Sequence, residues 1–265
     1  VIDLFADSTR RNPYPAYDLL RARSPVFHVP PMDVWMIFDY DGVKRALTDH
    51  DTFSSNLANA PGHGNPGEWF LFFDPPRHTK LRALIAKAFT PRVVANLEPR
   101  IRELSRELLD AVIERGEMDL VNDFAVPLPM RVIAELLGVP AADWARYKRW
   151  SDTILKIANT VSRDDETVRT IQEYRAVTEE MRAWLPDFIA HKRAARADDL
   201  LARLADAEVD GDRLTPAELL GFVQLLLVGG QETTANLIDN AVLCFMEHPD
   251  QLQRLREAPD LLPSA

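Results

Sequence analysis

From Thr215 to Glu247 nothing interrupts a helical pattern, and that run constrains the fold more than any other feature of the chain. Thr215-Pro216-Ala217-Glu218 has the form of a capping box with proline at the first helical position, which starts a helix with little ambiguity. His248-Pro249 ends it, so the helix should span about 32 residues and roughly 48 Å at 1.5 Å per residue. Its first half, LLGFVQLLLV from Leu219 to Val228, is apolar around nearly its whole circumference. Such a helix is expected to run through a protein interior.

The rest of the chain reads as mostly helical. Pro13 to Arg23 has helical spacing of apolar residues, and further helical patterns fall at about 40–49, 76–89, 91–115, 124–138, 141–160, 165–195, 198–206 and 249–257. Val26–Val29 and Val34–Phe38 are short β-branched or aromatic runs around Pro30, Pro31 and Asp33, which predicts a hairpin near the start. Thr52 to Phe73 has no clear period and holds Pro61, Gly62, Gly64, Pro66 and Gly67. Its aromatic residues Trp69, Phe70, Phe72 and Phe73 predict a functional loop that packs on something apolar.

With 265 residues and 46% hydrophobic content the chain can bury a sizeable core. A net charge of -10 argues against a nucleic-acid or anionic-membrane binder, because both require a positive surface field. Cys244 is the one cysteine, which excludes an intrachain disulfide framework and suits a reducing cytoplasm. No run approaches the roughly 20 apolar residues of a membrane span, so a soluble cytoplasmic protein is expected. Val1 to Asp7 has no signal-peptide character, and a start at Val1 rather than Met suggests missing residues upstream.

Two segments carry chemistry. In the first, DPPRHTKLRALIAKAFTPR, Asp74 is the expected N-cap with prolines in the first turn. At about 100° per residue, Arg77, Lys80 and Lys87 fall on one side of this helix, while His78, Arg82, Ile85 and Phe89 fall nearly opposite. His78 and Arg82 stand at i, i+4 on an otherwise apolar face, which places two donors side by side. An unpaired guanidinium in a core costs several kcal/mol, so an anion is expected there: a protein carboxylate, or the carboxylates of a bound cofactor. Arg77 to Arg92 holds five basic residues and no acidic one, either a solvated face or a docking surface for an acidic partner.

The second segment, Gly229-Gly230-Gln231-Glu232-Thr233-Thr234, lies in the middle of the long helix. Each glycine there costs about 1 kcal/mol relative to alanine. Close approach by a flat ligand or another backbone accounts for it, as does tight helix packing with a solvated glutamate. The threonine hydroxyl can bond back to the carbonyl four residues earlier, and an acid beside it at a weakened turn suggests a proton path.

Together these segments resemble the bacterial cytochromes P-450. DPPRHTKLR is similar to the family's C-helix, whose His-x-x-x-Arg pair binds the haem propionates; that pair here is His78 and Arg82. LLLVGGQETT is similar to the long I-helix, whose glycine-acid-threonine motif crosses the oxygen-binding side of the haem. Phe53-Ser54-Ser55, Ala88-Phe89-Thr90-Pro91 and Ile133 to Pro140 follow the family in order. The resemblance implies a mainly α cytochrome P-450 fold with a small sheet near the N-terminus and a long central I-helix, residues 1–265 forming a single incomplete domain. It implies haem b held by His78, Arg82, Gly229 and Gly230, with Glu232 and Thr233 as catalytic residues. It also implies dioxygen, a small apolar organic substrate for hydroxylation or epoxidation, and a ferredoxin- or flavodoxin-type electron donor.

The family takes its iron ligand from a cysteine in a C-terminal loop, after a Glu-x-x-Arg helix; neither follows the I-helix here, so that cysteine is expected beyond residue 265 and the fragment alone should be inactive. Glu103/Arg106, Glu166/Arg169 and Glu179/Arg182 have the right spacing but precede the I-helix and read as ordinary ion pairs. Cys244 reads as apolar core. The alternatives are a haem-free helical ligand-binding protein, a degenerate family member, or an unrelated helical module.

Overall fold

The computed structural model describes residue 4 and residues 6–30, 33–56, 69–158, 165–196, 199–209 and 211–264. Most of the Thr52–Phe73 loop, residues 57–68, lies outside the described residues, as does the side chain of Arg92. The chain divides into two compact units, residues 1–65 with 71–75, and residues 66–70 with 76–265.

In the first unit, helices α1 (Asp7–Arg11) and α2 (Tyr14–Arg23) precede strands β1 (Val26–Val29) and β2 (Val34–Ile37). The expected hairpin is present: the strands pair antiparallel with Val26 opposite Ile37 and Val29 opposite Val34. Asp33 closes its turn at φ 52°, a left-handed conformation that aspartate tolerates better than most residues. Asp39 then caps α3 (Tyr40–Thr48) by accepting from the Gly42 amide at 2.8 Å.

Asp74 does not cap the next helix. Its carboxylate accepts from Ser54 Oγ at 2.5 Å and from the Ser55 amide at 2.7 Å. Pro76 takes the cap position, two residues later than expected. Helix α4 (Arg77–Ala88) begins without a side-chain cap.

The second unit is helical. The expected single helix over 91–115 is two, α5 (Pro91–Ala95) and α6 (Glu98–Ile113), separated at Asn96-Leu97. Pro99 sits in the first turn of α6, where its ring would clash with the carbonyl of Ala95 in a continuous helix. A π-helical turn, Leu120–Ala125, enters α7 (Pro127–Leu136); Asp119 starts it by accepting from the Asn122 amide at 3.0 Å. Gly138, at φ 65°, ends that segment.

Helices α8 (Trp144–Ala158), α9 (Asp165–Ala194) and α10 (Leu200–Asp206) follow. A second small hairpin, β3 (Glu208–Val209) with β4 (Asp212–Arg213), was not expected from the pattern; its strands are only two residues long. Gly211 supplies its turn at φ 85°.

Helix α11 (Pro216–Glu247) is the expected long helix, and both halves of its capping box are formed between Thr215 and Glu218. Helices α7, α8 and α9 pack on it. Only its first half runs through the interior: its buried residues extend from Leu219 to Ala235, whereas Leu237, Leu243 and Met246 are exposed. Cys244 is exposed as well, so its expected place in the core is corrected. It lies against a groove shared with α12 (Pro249–Glu257). No described helix is long and apolar enough to cross a membrane.

Candidate functional site

Three sides of the turn Gly229–Thr233 meet different surroundings. A Cβ placed on Gly230 would come within 2.6 Å of Ile133 Cδ1, so this glycine admits α7. Gln231 is buried and accepts a hydrogen bond from Ser151 Oγ of α8. A Cβ on Gly229 would meet nothing within 4 Å. At about 100° per residue, Glu232 and Thr233 lie within about 60° of Gly229, so all three share the open side. Tight helix packing is therefore present at Gly230, while Gly229 faces open space.

Thr233 Oγ1 donates to Gly229 O at 2.5 Å, the back-bond that the sequence suggested. With its own proton committed, this oxygen offers lone pairs outward. Glu232 is half-buried, and among the described residues no hydrogen bond or ion pair engages its carboxylate. It stands as a carboxylate beside a hydroxyl acceptor on a surface with room.

The other constellation reaches the same strip through aromatic contacts. Phe222 lies seven residues before Gly229 and about 20° from it around the helix. Phe222 stacks on Phe70, with ring centroids 6.5 Å apart, and Phe70 stacks on His78 at 5.8 Å. Phe89, from the His78 side of α4, meets Phe222 edge-on at 6.2 Å. The face of α4 bearing His78 and Arg82 thus borders the strip of α11 that continues into Gly229 and Thr233.

His78 is half-buried against Phe70, while Arg82 is exposed and forms no ion pair or hydrogen bond among the described residues. The protein-carboxylate reading of this pair is not realised. A free guanidinium and an imidazole at adjacent turns, beside open helix backbone, fit a ligand with an anionic edge and a flat body.

The opposite face of α4 is engaged within the second unit. Arg77 pairs with Glu218 at 3.3 Å, Lys80 with Asp212 at 3.0 Å, and Lys87 donates to Glu208 O at 2.7 Å. Of the Glu-x-x-Arg spacings, Glu179–Arg182 does pair, at 3.5 Å. Glu103 instead pairs with Arg100, which also holds Glu135 through two nitrogens, at 2.8 and 2.6 Å. These carboxylates hold the Arg100 guanidinium's pKa above its ordinary value, Glu135 contributing most.

Sequence reasoning missed a buried polar group on the far side of α11 from this strip. Gln224 Oε1 accepts from Trp69 Nε1 at 2.9 Å and from Tyr174 OH at 3.3 Å, and its amide donates to Thr178 Oγ1 at 3.0 Å. Burial raises the Tyr174 pKa, opposed by its hydrogen bonds to Thr178 and Trp69. One signal was available: Gln224 and Gln231 stand seven residues apart in an otherwise apolar half-helix.

The fold and this geometry define a mainly helical protein whose longest described helix is open on one side at Gly229. The cytochrome P450 family profile matches residues 23–261. Cytochrome P450 109 of Bacillus spizizenii is 39% identical over 258 residues, covering 97% of this chain and 62% of that protein. Vitamin D(3) 25-hydroxylase of Pseudonocardia autotrophica is 37% identical over 274 residues, covering 99% and 65%. Substrate-free CYP109E1 of Bacillus megaterium superposes with a TM-score of 0.86 at 37% identity, covering 96% of this chain and 66% of that one. The chain belongs to the cytochrome P450 family, and spans just under two thirds of the relatives it matches.

Proposed function

We propose that the protein containing this chain is a haem-dependent monooxygenase that uses dioxygen and two electrons to hydroxylate or epoxidise an apolar organic substrate. The observation that carries this reading is the open strip of α11, where Gly229, Glu232 and Thr233 share one side next to the His78/Arg82 face of α4. Haem b, when bound, would supply the oxygen activation. His78 and Arg82 would hold its propionates by charge-assisted hydrogen bonds. Gly229 admits the ring, because its surface carries no side chain and nothing crowds it.

Thr233 accepts and orients a proton donor, since its own hydrogen is given to Gly229 O. Glu232 holds or passes the proton beside it. The substrate is proposed to be apolar and of steroid size. Two matched solved structures are CYP109E1 complexes with corticosterone and testosterone, and one relative is a vitamin D(3) hydroxylase. The electron donor is proposed to be a ferredoxin or flavodoxin in the cytoplasm. An acidic donor docking on α4 would exchange the exposed Lys80–Asp212 pair for its own carboxylates.

The test uses the full-length protein. Arg82→Ala and His78→Ala should each weaken haem retention, and Thr233→Ala should keep haem while raising peroxide released per reductant consumed. Wild-type haem retention in the first two variants together with wild-type peroxide yield in the third would sink this assignment.

A further inference from the structure

Ser151 of α8 and Gln231 of α11 form a buried polar pair between two helices that pack on each other. Ser151 is 0% exposed and Gln231 2%. Ile154, the next residue on that side of α8, is fully buried. Two apolar side chains of similar volume would pack there at least as stably. A buried hydrogen-bonded pair is retained where one register must be chosen over its neighbours, because any slide or rotation leaves both groups unpaired.

The pair acts at the weakest point of α11. Gly230 and Gly229 both lower helix propensity, and Thr233 competes for the Gly229 carbonyl. Ile133 fills the notch at Gly230 from α7, and Ser151 holds Gln231 from α8. The turn is therefore fixed from two sides, and its third side carries Glu232 and Thr233. We infer that Ser151, through Gln231, is a positioning residue that sets the direction in which Glu232 and Thr233 face. Neither Ser151 nor Gln231 touches the open strip; their influence is on the backbone that carries it. This rests on the proposed proton-handling role of Glu232 and Thr233.

The experiment compares Ser151→Ala and Thr233→Ala in the full-length haem protein. Amide hydrogen exchange is followed in peptides covering 229–234 and 219–227. Peroxide released per reductant is measured without organic substrate. Loss of one buried hydrogen bond should speed exchange in 229–234 by about tenfold in Ser151→Ala, leave 219–227 unchanged, and raise the peroxide share as Thr233→Ala does. Equal acceleration in both peptides would reduce Ser151 to a general stabiliser and overturn the inference. So would a wild-type peroxide share in Ser151→Ala when Thr233→Ala raises it. If Thr233→Ala itself leaves the share unchanged, the proton-handling reading falls and this inference falls with it. Should Ser151→Ala not fold, Gln231→Met breaks the same bond from the other side while keeping side-chain volume, and the same outcomes decide.

Discussion

Trp69 Nε1 donates a 2.9 Å hydrogen bond to Gln224 Oε1 across 155 residues of chain, and both side chains are buried. Trp69 is thereby tied to the buried half of α11. Gln224→Leu should destabilise the protein by about 2–4 kcal/mol, because it strips partners from the Trp69 and Tyr174 donors together. Trp69→Phe, which removes one donor, should cost less. Chemical denaturation of both variants and their combination would measure the coupling, and additive losses would mean that the bond contributes nothing.

Gly229 and Gly230 are neighbours with opposite surroundings, and the same substitution should act on them in opposite directions. Gly229→Ala adds a methyl to open space and improves helix propensity, so about 0.5–1 kcal/mol of added stability is expected. It should also impair haem uptake, by occupying the surface the ring requires. Gly230→Ala drives a methyl into Ile133, and the overpacking, about 1–3 kcal/mol, exceeds the propensity gain. Ile133→Val should relieve it. Equal melting shifts for the two alanines would contradict this assignment of faces.

Lys192 is 5% exposed, pairs with Asp199 at 2.5 Å, donates to Gly138 O at 3.0 Å and lies 4.4 Å from the Phe188 ring centre. It clamps the end of α9 to the start of α10 and to the loop after α7. Lys192→Met should cost about 3–5 kcal/mol, because the Asp199 carboxylate loses its counter-charge while largely buried. Adding Asp199→Asn should recover part of the loss, and urea midpoints would report both.

Burial raises the pKa of Tyr147, which is 2% exposed, above the ordinary tyrosine range. A group whose folded pKa is raised contributes stability in full below its unfolded value and loses it as pH climbs toward the folded one. The free energy of unfolding should therefore hold steady up to about pH 10, then fall by as much as about 1.4 kcal/mol per pH unit for each such tyrosine. Burial raises Tyr174 in the same way. Tyr147→Phe should flatten the alkaline limb, and an unaltered limb would assign the loss to other groups.

Cys244 lies 11 residues beyond Thr233, about 16 Å along α11, too far along the axis to serve the same turn. In residues 1–265 expressed alone, its thiol should label with maleimide at the rate of a free exposed cysteine. Reduced carbon monoxide spectra should lack the thiolate band. A thiolate spectrum abolished by Cys244→Ser would show that this reading has the iron ligand in the wrong place.

Much of the architecture was legible because its causes are local. The capping box at Thr215, the proline after Glu247's last turn and the β-branched and aromatic runs on either side of Asp33 act within a few residues, so the long helix and the first hairpin follow directly. The placement of His78 and Arg82 is local in the same way: i, i+4 spacing puts both on one face whatever surrounds them. The break at Asn96-Leu97 was local too, and Pro99 was its overlooked signal.

What a face meets was decided only by tertiary structure. Arg77 and Lys80 find carboxylates 141 and 132 residues away while Arg82 finds none among the described residues, although all three lie on one short helix. Ile133 separates the roles of two adjacent glycines, and Ser151 reaches Gln231 across 80 residues. Helical hydrogen bonds close within four residues, and periodicity records them. Contacts between helices depend on which distant segment arrives, and no local pattern encodes that arrival.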